Sequence, residues 1–251
     1  MTPPPTAICS LMVLLLIPAM PAPASSPITV AAAANLTGVC AEAGQVFAKK
    51  TGIEVVCAYG STAQLAQQIS NGAPFDLFAS ADTEHVDSLI AAGSLSAPSR
   101  AVYARGQLAL WLPKGAELGI RDIIGLTNSR VHFVAIAKPE QAPYGLATVE
   151  ALKSAGLWEQ IQAKAVYPSS INQAKQMAAS GNADAAFTAY SLVLHETGTV
   201  LKIDRKLYKP IQQALGVVSK SPRAREAWQF REFLLGPQGQ VILARHGYLT
   251  P

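Results

Sequence analysis

The stretch GSTAQLAQQISNGAPFDLFASAD, residues 60–82, carries two adjacent hydroxyls at its front, Ser61 and Thr62, and two carboxylates, Asp76 and Asp82. Such groups admit three chemistries: attack by a serine, acid–base work by paired carboxylates, or capture of a ligand by small polar groups at a helix start. Attack finds no support, because no G-x-S-x-G surrounds any serine, and neither G-x-G-x-x-G nor a P-loop occurs. Acid–base work fails on distance. With the segment between them extended, Asp76 and Asp82 stand about 20 Å apart by strand rise, whereas paired glycosidase carboxylates need about 5 to 9.5 Å. Asp76 reads instead as a strand-start residue and Asp82 as a helix cap. The chain is expected not to be an enzyme, and ligand capture is left.

The elements that would position these groups alternate. Residues 27–30 and the following alanines form a first strand, and residues 53–58 (IEVVCA) and 76–80 two more. Leu36, Val39, Cys40, Ala43, Val46 and Phe47 recur at helical spacing, with Gly52 as the stop. Further helices are predicted over 64–71 and 82–90. A second set follows: strands at 107–113, 131–137 and 185–189, and helices at 144–155 and 171–180. A last strand, 213–219, and a helix over 222–235 ended by Gly236-Pro237 complete the chain. Strands alternating with helices imply mostly parallel sheets covered on both faces. The second α/β unit is inserted before the first is complete.

In open α/β sheets ligands bind beyond the carboxyl ends of strands, where helix N-termini point. Four such junctions are rich in donors: Ala33-Ala34-Asn35, Gly60-Ser61-Thr62, residues 141–145 with Tyr144 at a helix start, and residues 168–171 with Ile171 opening a helix. Each offers free backbone N–H groups, and none carries Lys or Arg. Taken singly, Asn35, Ser61 or Thr62, and Ser170 are ordinary N-caps, and Tyr144 is an ordinary packing residue. Converging, the four would make an anion site of dipoles and neutral donors, selective for size and protonation state.

Composition bounds the rest. With 251 residues and 50% hydrophobic content there is material for real cores; the net charge is +4 and the pI about 9.0. The basic residues are scattered and not interleaved with aromatics, which argues against a nucleic-acid surface. Residues 11–20 (LMVLLLIPAM) are too short to span a bilayer, and Ala22 and Ala24 give a small-x-small cleavage pattern. A signal peptide over 1–24 and export to the periplasm are expected. Cys9 precedes the apolar core and is not placed as a lipid anchor. Export makes a Cys40–Cys57 disulfide possible; the alternative is two small buried residues, one on a helix and one on a strand. His85, His132, His195 and His246 are too scattered for a metal site.

Four strings resemble the periplasmic molybdate-binding proteins of ABC importers: AAAANL at 31–36, the 60–82 stretch, AKPEQAPYGLATVEAL at 137–152 and FLLGPQGQVILARHGYL at 233–249. The resemblance runs in order over essentially the whole mature chain. It implies a two-lobed type II periplasmic binding fold, each lobe a mostly parallel sheet flanked by helices, with lobe 1 over 25–104 and 210–251 and lobe 2 over 105–209. By position it implies molybdate or tungstate contacts from Ala34, Asn35, Ser61, Thr62, Tyr144 and Ile171. Ala189 stands where many members carry a tyrosine, so the chain resembles the Asn/Tyr subtype, and Tyr190 is not expected to touch ligand. No cofactor is implied, and molybdenum enters only within the oxyanion. The implied partners are a membrane permease and an ATPase, with the binding protein a monomer. Another tetrahedral oxyanion (sulfate, phosphate or chromate) is the alternative ligand, and a non-transport sensor module the alternative role.

Overall fold

The computed structural model describes residues 26–115 and 118–251; the expected leader lies outside the described residues. The first strand, β1 (Ile28–Ala33, ITVAAA), is buried at every position but Thr29, as a strand must be when helices cover both faces. It is followed by a single 3-10 turn (Ala34–Leu36), α1 (Thr37–Thr51), β2 (Val55–Gly60), α2 (Thr62–Ser70), β3 (Leu77–Ala79), α3 (Glu84–Ala91) and β4 (Ala101–Gly106). The second unit holds β5 (Leu108–Pro113), β6 (Val134–Ala135), α4 (Pro143–Ser154), α5 (Trp158–Gln162), β7 (Ala165–Val166), α6 (Ile171–Ala179), β8 (Ala185–Ala189), α7 (Tyr190–Val193) and β9 (Gly198–Lys202). The chain ends with β10 (Ile211–Val217), α8 (Ala224–Leu235) and α9 (Pro237–Arg245).

Two five-stranded sheets result, ordered β2-β1-β3-β10-β4 and β7-β6-β8-β5-β9. In the first, β1 is parallel to β2 and β3 while β10 is antiparallel to β3 and β4. In the second, β6 is parallel to β7 and β8 while β5 is antiparallel to β8 and β9. The molecule is thus a two-lobed α/β fold, each lobe built to one plan. The chain leaves the first sheet at Gly106, with only Gln107 before β5, and returns to it at Ile211.

The structure corrects several expectations. β4 was not foreseen, because Arg105 and Gly106 break the apolar pattern ahead of the stronger β5 signal. The strand expected over 131–137 is regular only at Val134–Ala135. Gly236-Pro237 does not end the helical run: Gly236 closes α8 and Pro237, whose missing N–H costs nothing in a first turn, opens α9. Of the two readings open for Cys40 and Cys57, the structure has the disulfide, which ties α1 to β2 with Cα atoms 6.5 Å apart. Two turns further along the same face of α1, Phe47 meets Phe230 and Phe233 of α8 at centroid distances of 5.2 and 5.6 Å.

Candidate functional site

The four junctions fold by different local devices. At the start of α2, Ser61 is extended and its Oγ accepts from Gln64 N at 3.4 Å, the side-chain cap a helix start requires. Thr62 Oγ1 accepts from Ala81 N at 3.2 Å, which fixes the same helix start to the end of β3. At α6, Ser170 Oγ accepts from Gln173 N at 3.3 Å, and Gln173 Oε1 accepts in return from Ser169 N at 3.0 Å. At α4, Pro143 occupies the first helical position and Tyr144 follows it, 2% exposed. Gly145 lets that helix start lie against the preceding loop. A Cβ there would overlap the Ala137 carbonyl oxygen and stand 2.9 Å from its carbon.

Asn35 departs from expectation. It is no N-cap: α1 begins after Leu36 with no side-chain cap bond. Its Nδ2 donates to Gln213 Oε1 and to Tyr248 Oη, each at 2.8 Å. Its carbonyl accepts from Tyr248 Oη at 2.7 Å and from Ser191 Oγ at 2.9 Å. With both side-chain protons engaged, the donor Asn35 can offer is its backbone N–H. Sequence reasoning missed the partners that hold it. The one available signal was Gln213, a polar residue in a strand and wholly buried.

All six expected residues, Ala34, Asn35, Ser61, Thr62, Tyr144 and Ile171, line one cavity between the lobes, together with Ala33, Gly60, Ala81, Ala142, Pro143 and Ser170. It is small, with room for about one water. Three α-helices, α2, α4 and α6, begin on it. The first amides of each have no partner within their helix, and the positive end of each dipole lies at the cavity. No acidic, basic or histidine side chain lines it. Its one ionisable group is the Tyr144 phenol, which burial pushes well above its ordinary pKa and so keeps neutral. The lobes meet beside it: Ala63 N donates to Gln141 O at 3.2 Å and Gln213 Nε2 to Tyr144 Oη at 2.8 Å.

The two aspartates are framework. Asp76 accepts from Thr29 N at 2.7 Å and from Ser221 Oγ at 2.6 Å. Asp82 accepts from His85 N at 3.1 Å and pairs with His85 Nδ1 at 2.7 Å, but it stands one residue ahead of the expected cap position, which Thr83 occupies. Tyr190 lies off the cavity, with the Lys202 ammonium 4.8 Å from its ring centre. The hydrogen bond to Asp82 raises the His85 pKa above the ordinary 6.5, against the opposing effect of partial burial. A raised folded-state pKa contributes stability that is fully present below 6.5 and lost as pH rises through the raised value. NMR titration of the imidazole is expected to show the elevated midpoint, and Asp82→Asn to remove it.

Two lobes closing on a small, uncharged, donor-lined cavity define a binding protein that holds a compact solute by backbone and hydroxyl groups. The comparisons agree: residues 28–249 match the family model described as bacterial extracellular solute-binding protein, and the chain belongs to that family. The family is one of transport solute-binding proteins, not of enzymes. The chain is 36% identical over 233 residues to the molybdate-binding protein ModA of Rhodobacter capsulatus, covering 92% of this chain and 91% of that one. It is 34% identical over 228 residues to ModA of Azotobacter vinelandii, covering 89% and 90%. The solved structure of the Azotobacter vinelandii periplasmic molybdate-binding protein superposes with a TM-score of 0.84 at 33% identity, over 89% of this chain and 99% of that one.

Proposed function

We propose that this chain captures molybdate, and tungstate with it, and delivers the anion to an ABC importer. The observation that carries the reading is the convergence of three helix N-termini on one cavity without an ionised side chain. A dianion there loses its water and is repaid only by aimed hydrogen bonds from neutral groups. Fixed donors at fixed spacing favour one oxyanion size, and similarity to ModA proteins over nine-tenths of the chain supports molybdate as that size. The contacts in this reading are Ala34, Asn35, Ser61, Thr62, Tyr144 and Ile171. The lobes in this reading are residues 25–104 with 210–251, and 105–209, although Arg105 and Gly106 still pair with β10 in the first sheet. Ligand shifts the open–closed equilibrium by binding the closed form better. A leader over residues 1–24 is removed on export, and the mature monomer docks on a permease driven by a cytoplasmic ATPase.

Calorimetric titration is expected to show tight binding of molybdate and tungstate, with sulfate and phosphate much weaker. Equal affinity for sulfate would remove the molybdate assignment. Tyr144→Phe is expected to weaken molybdate binding by about 1–3 kcal/mol, the cost of leaving a charged partner one donor short. Unchanged affinity would limit Tyr144 to its backbone N–H.

A further inference from the structure

We infer that Gln213 is the positioning residue that commits the Tyr144 hydroxyl proton to the bound anion. The inference rests on the oxyanion reading above and adds a direction to it. Gln213 is wholly buried on β10, the strand by which the chain rejoins the first lobe, and its amide spans Asn35 and Tyr103 on one side and Tyr144 on the other.

The direction of every bond follows from one group that cannot turn. The Asn35 main-chain carbonyl only accepts, so Tyr248 Oη, 2.7 Å away, gives its single proton there. Tyr248 can then only accept from the Asn35 side chain, which must present Nδ2 to it at 2.8 Å. The second Nδ2 proton points at Gln213, which must answer with Oε1, also at 2.8 Å. Tyr103 Oη lies 2.8 Å from the same oxygen and 2.9 Å from Ser80 O, both acceptors, so it too is a donor, its single proton shared between them. The far end of Gln213 is therefore Nε2, which donates to Tyr144 Oη at 2.8 Å. Tyr144 receives a proton on this side, and no acceptor for its own proton occurs among the described residues. Gly106 keeps the arrangement closed: a Cβ there would overlap the Tyr144 hydroxyl and stand 2.5 Å from Gln213 Nε2. The relay makes Tyr144 a donor toward the cavity, so the oxygen it meets must be unprotonated.

The test is a double-mutant cycle read by molybdate titration at pH 8. Gln213→Glu exchanges one nitrogen for oxygen. It keeps the acceptor for Asn35 and Tyr103 and turns the other end into an acceptor that draws the Tyr144 proton away from the cavity. The affinity loss caused by Gln213→Glu is expected to be at least tenfold larger with Tyr144 present than in a Tyr144→Phe background, where only the added charge acts. Equal losses in both backgrounds would overturn the relay. Should Gln213→Glu not fold, as thermal melting would show, the neutral Gln213→Met carries the same cycle. Its loss is expected to be at least threefold larger with Tyr144 present, and equal losses again overturn the inference. If the unsubstituted protein binds another oxyanion in place of molybdate, the molybdate reading fails, and the cycle run with that anion still decides the relay.

Discussion

Gly145→Ala is expected to lower stability and weaken anion binding together, against the ordinary helical trend. In a helix the exchange gains about 1 kcal/mol, because alanine loses less freedom on folding. Here the added methyl would overlap the Ala137 carbonyl oxygen and stand 3.2 Å from the Lys138 carbonyl carbon, both backbone and neither able to rotate aside. Overpacking that forces a backbone shift costs about 1–3 kcal/mol, which cancels the helical gain and leaves a net loss of up to about 2 kcal/mol. For a chain of this size that is a fall in melting temperature of up to about 8 °C. The strain is relieved by moving the first turn of α4 outward, and Tyr144 rides on that turn. One misaimed hydrogen bond to a charged ligand is worth at least about 1.5 kcal/mol, or about tenfold in affinity. Melting and titration of the one variant check both effects. An alanine protein that melts higher and binds as before would show that the loop ahead of α4 yields freely.

The second large effect concerns the disulfide. Cys40 and Cys57 close a loop with a sequence separation of 17, and on the chain-entropy account such a cross-link contributes about 3 kcal/mol. The double substitution Cys40→Ala, Cys57→Ala is expected to lower the melting temperature by about 6–12 °C at this size. The bond lies away from the cavity residues, between α1 and the outer strand β2, so ligand affinity below the new transition should stay within about twofold. Urea titration with and without reductant gives the same comparison on the unsubstituted chain. A reduced protein as stable as the oxidised one would show that burial around Cys40 holds α1 to β2 unaided.

Strand-to-helix alternation was legible because β5 is apolar throughout and β1 at all but Thr29, and their helices carry clear periodicity. The four junctions were legible as donor-rich starts from Ser61, Thr62, Ser170 and the Pro143-Tyr144 pair. Their convergence was not, since it depends on the order β2-β1-β3-β10-β4 and on the mirrored use of β5, which pair residues far apart in the chain. The same limit hid Asn35's true role. A polar residue after a strand reads as a cap when only its neighbours are known, yet its partners Gln213 and Tyr248 lie 178 and 213 positions downstream. Short strands such as β7 (Ala165–Val166) carry no periodicity to detect and exist only because β6 offers them an edge.

That separation of 213 positions also sets when the cavity can exist. A chain synthesised and moved across a membrane N-terminus first presents Asn35 early and Tyr248 long afterwards. Until α9 and the residues beyond it have followed, Asn35 has no Tyr248 to orient it, and β3 has no β10 to pair with. On the function proposed above, a half-translocated chain therefore has no anion site, and capture begins only when the whole chain has arrived.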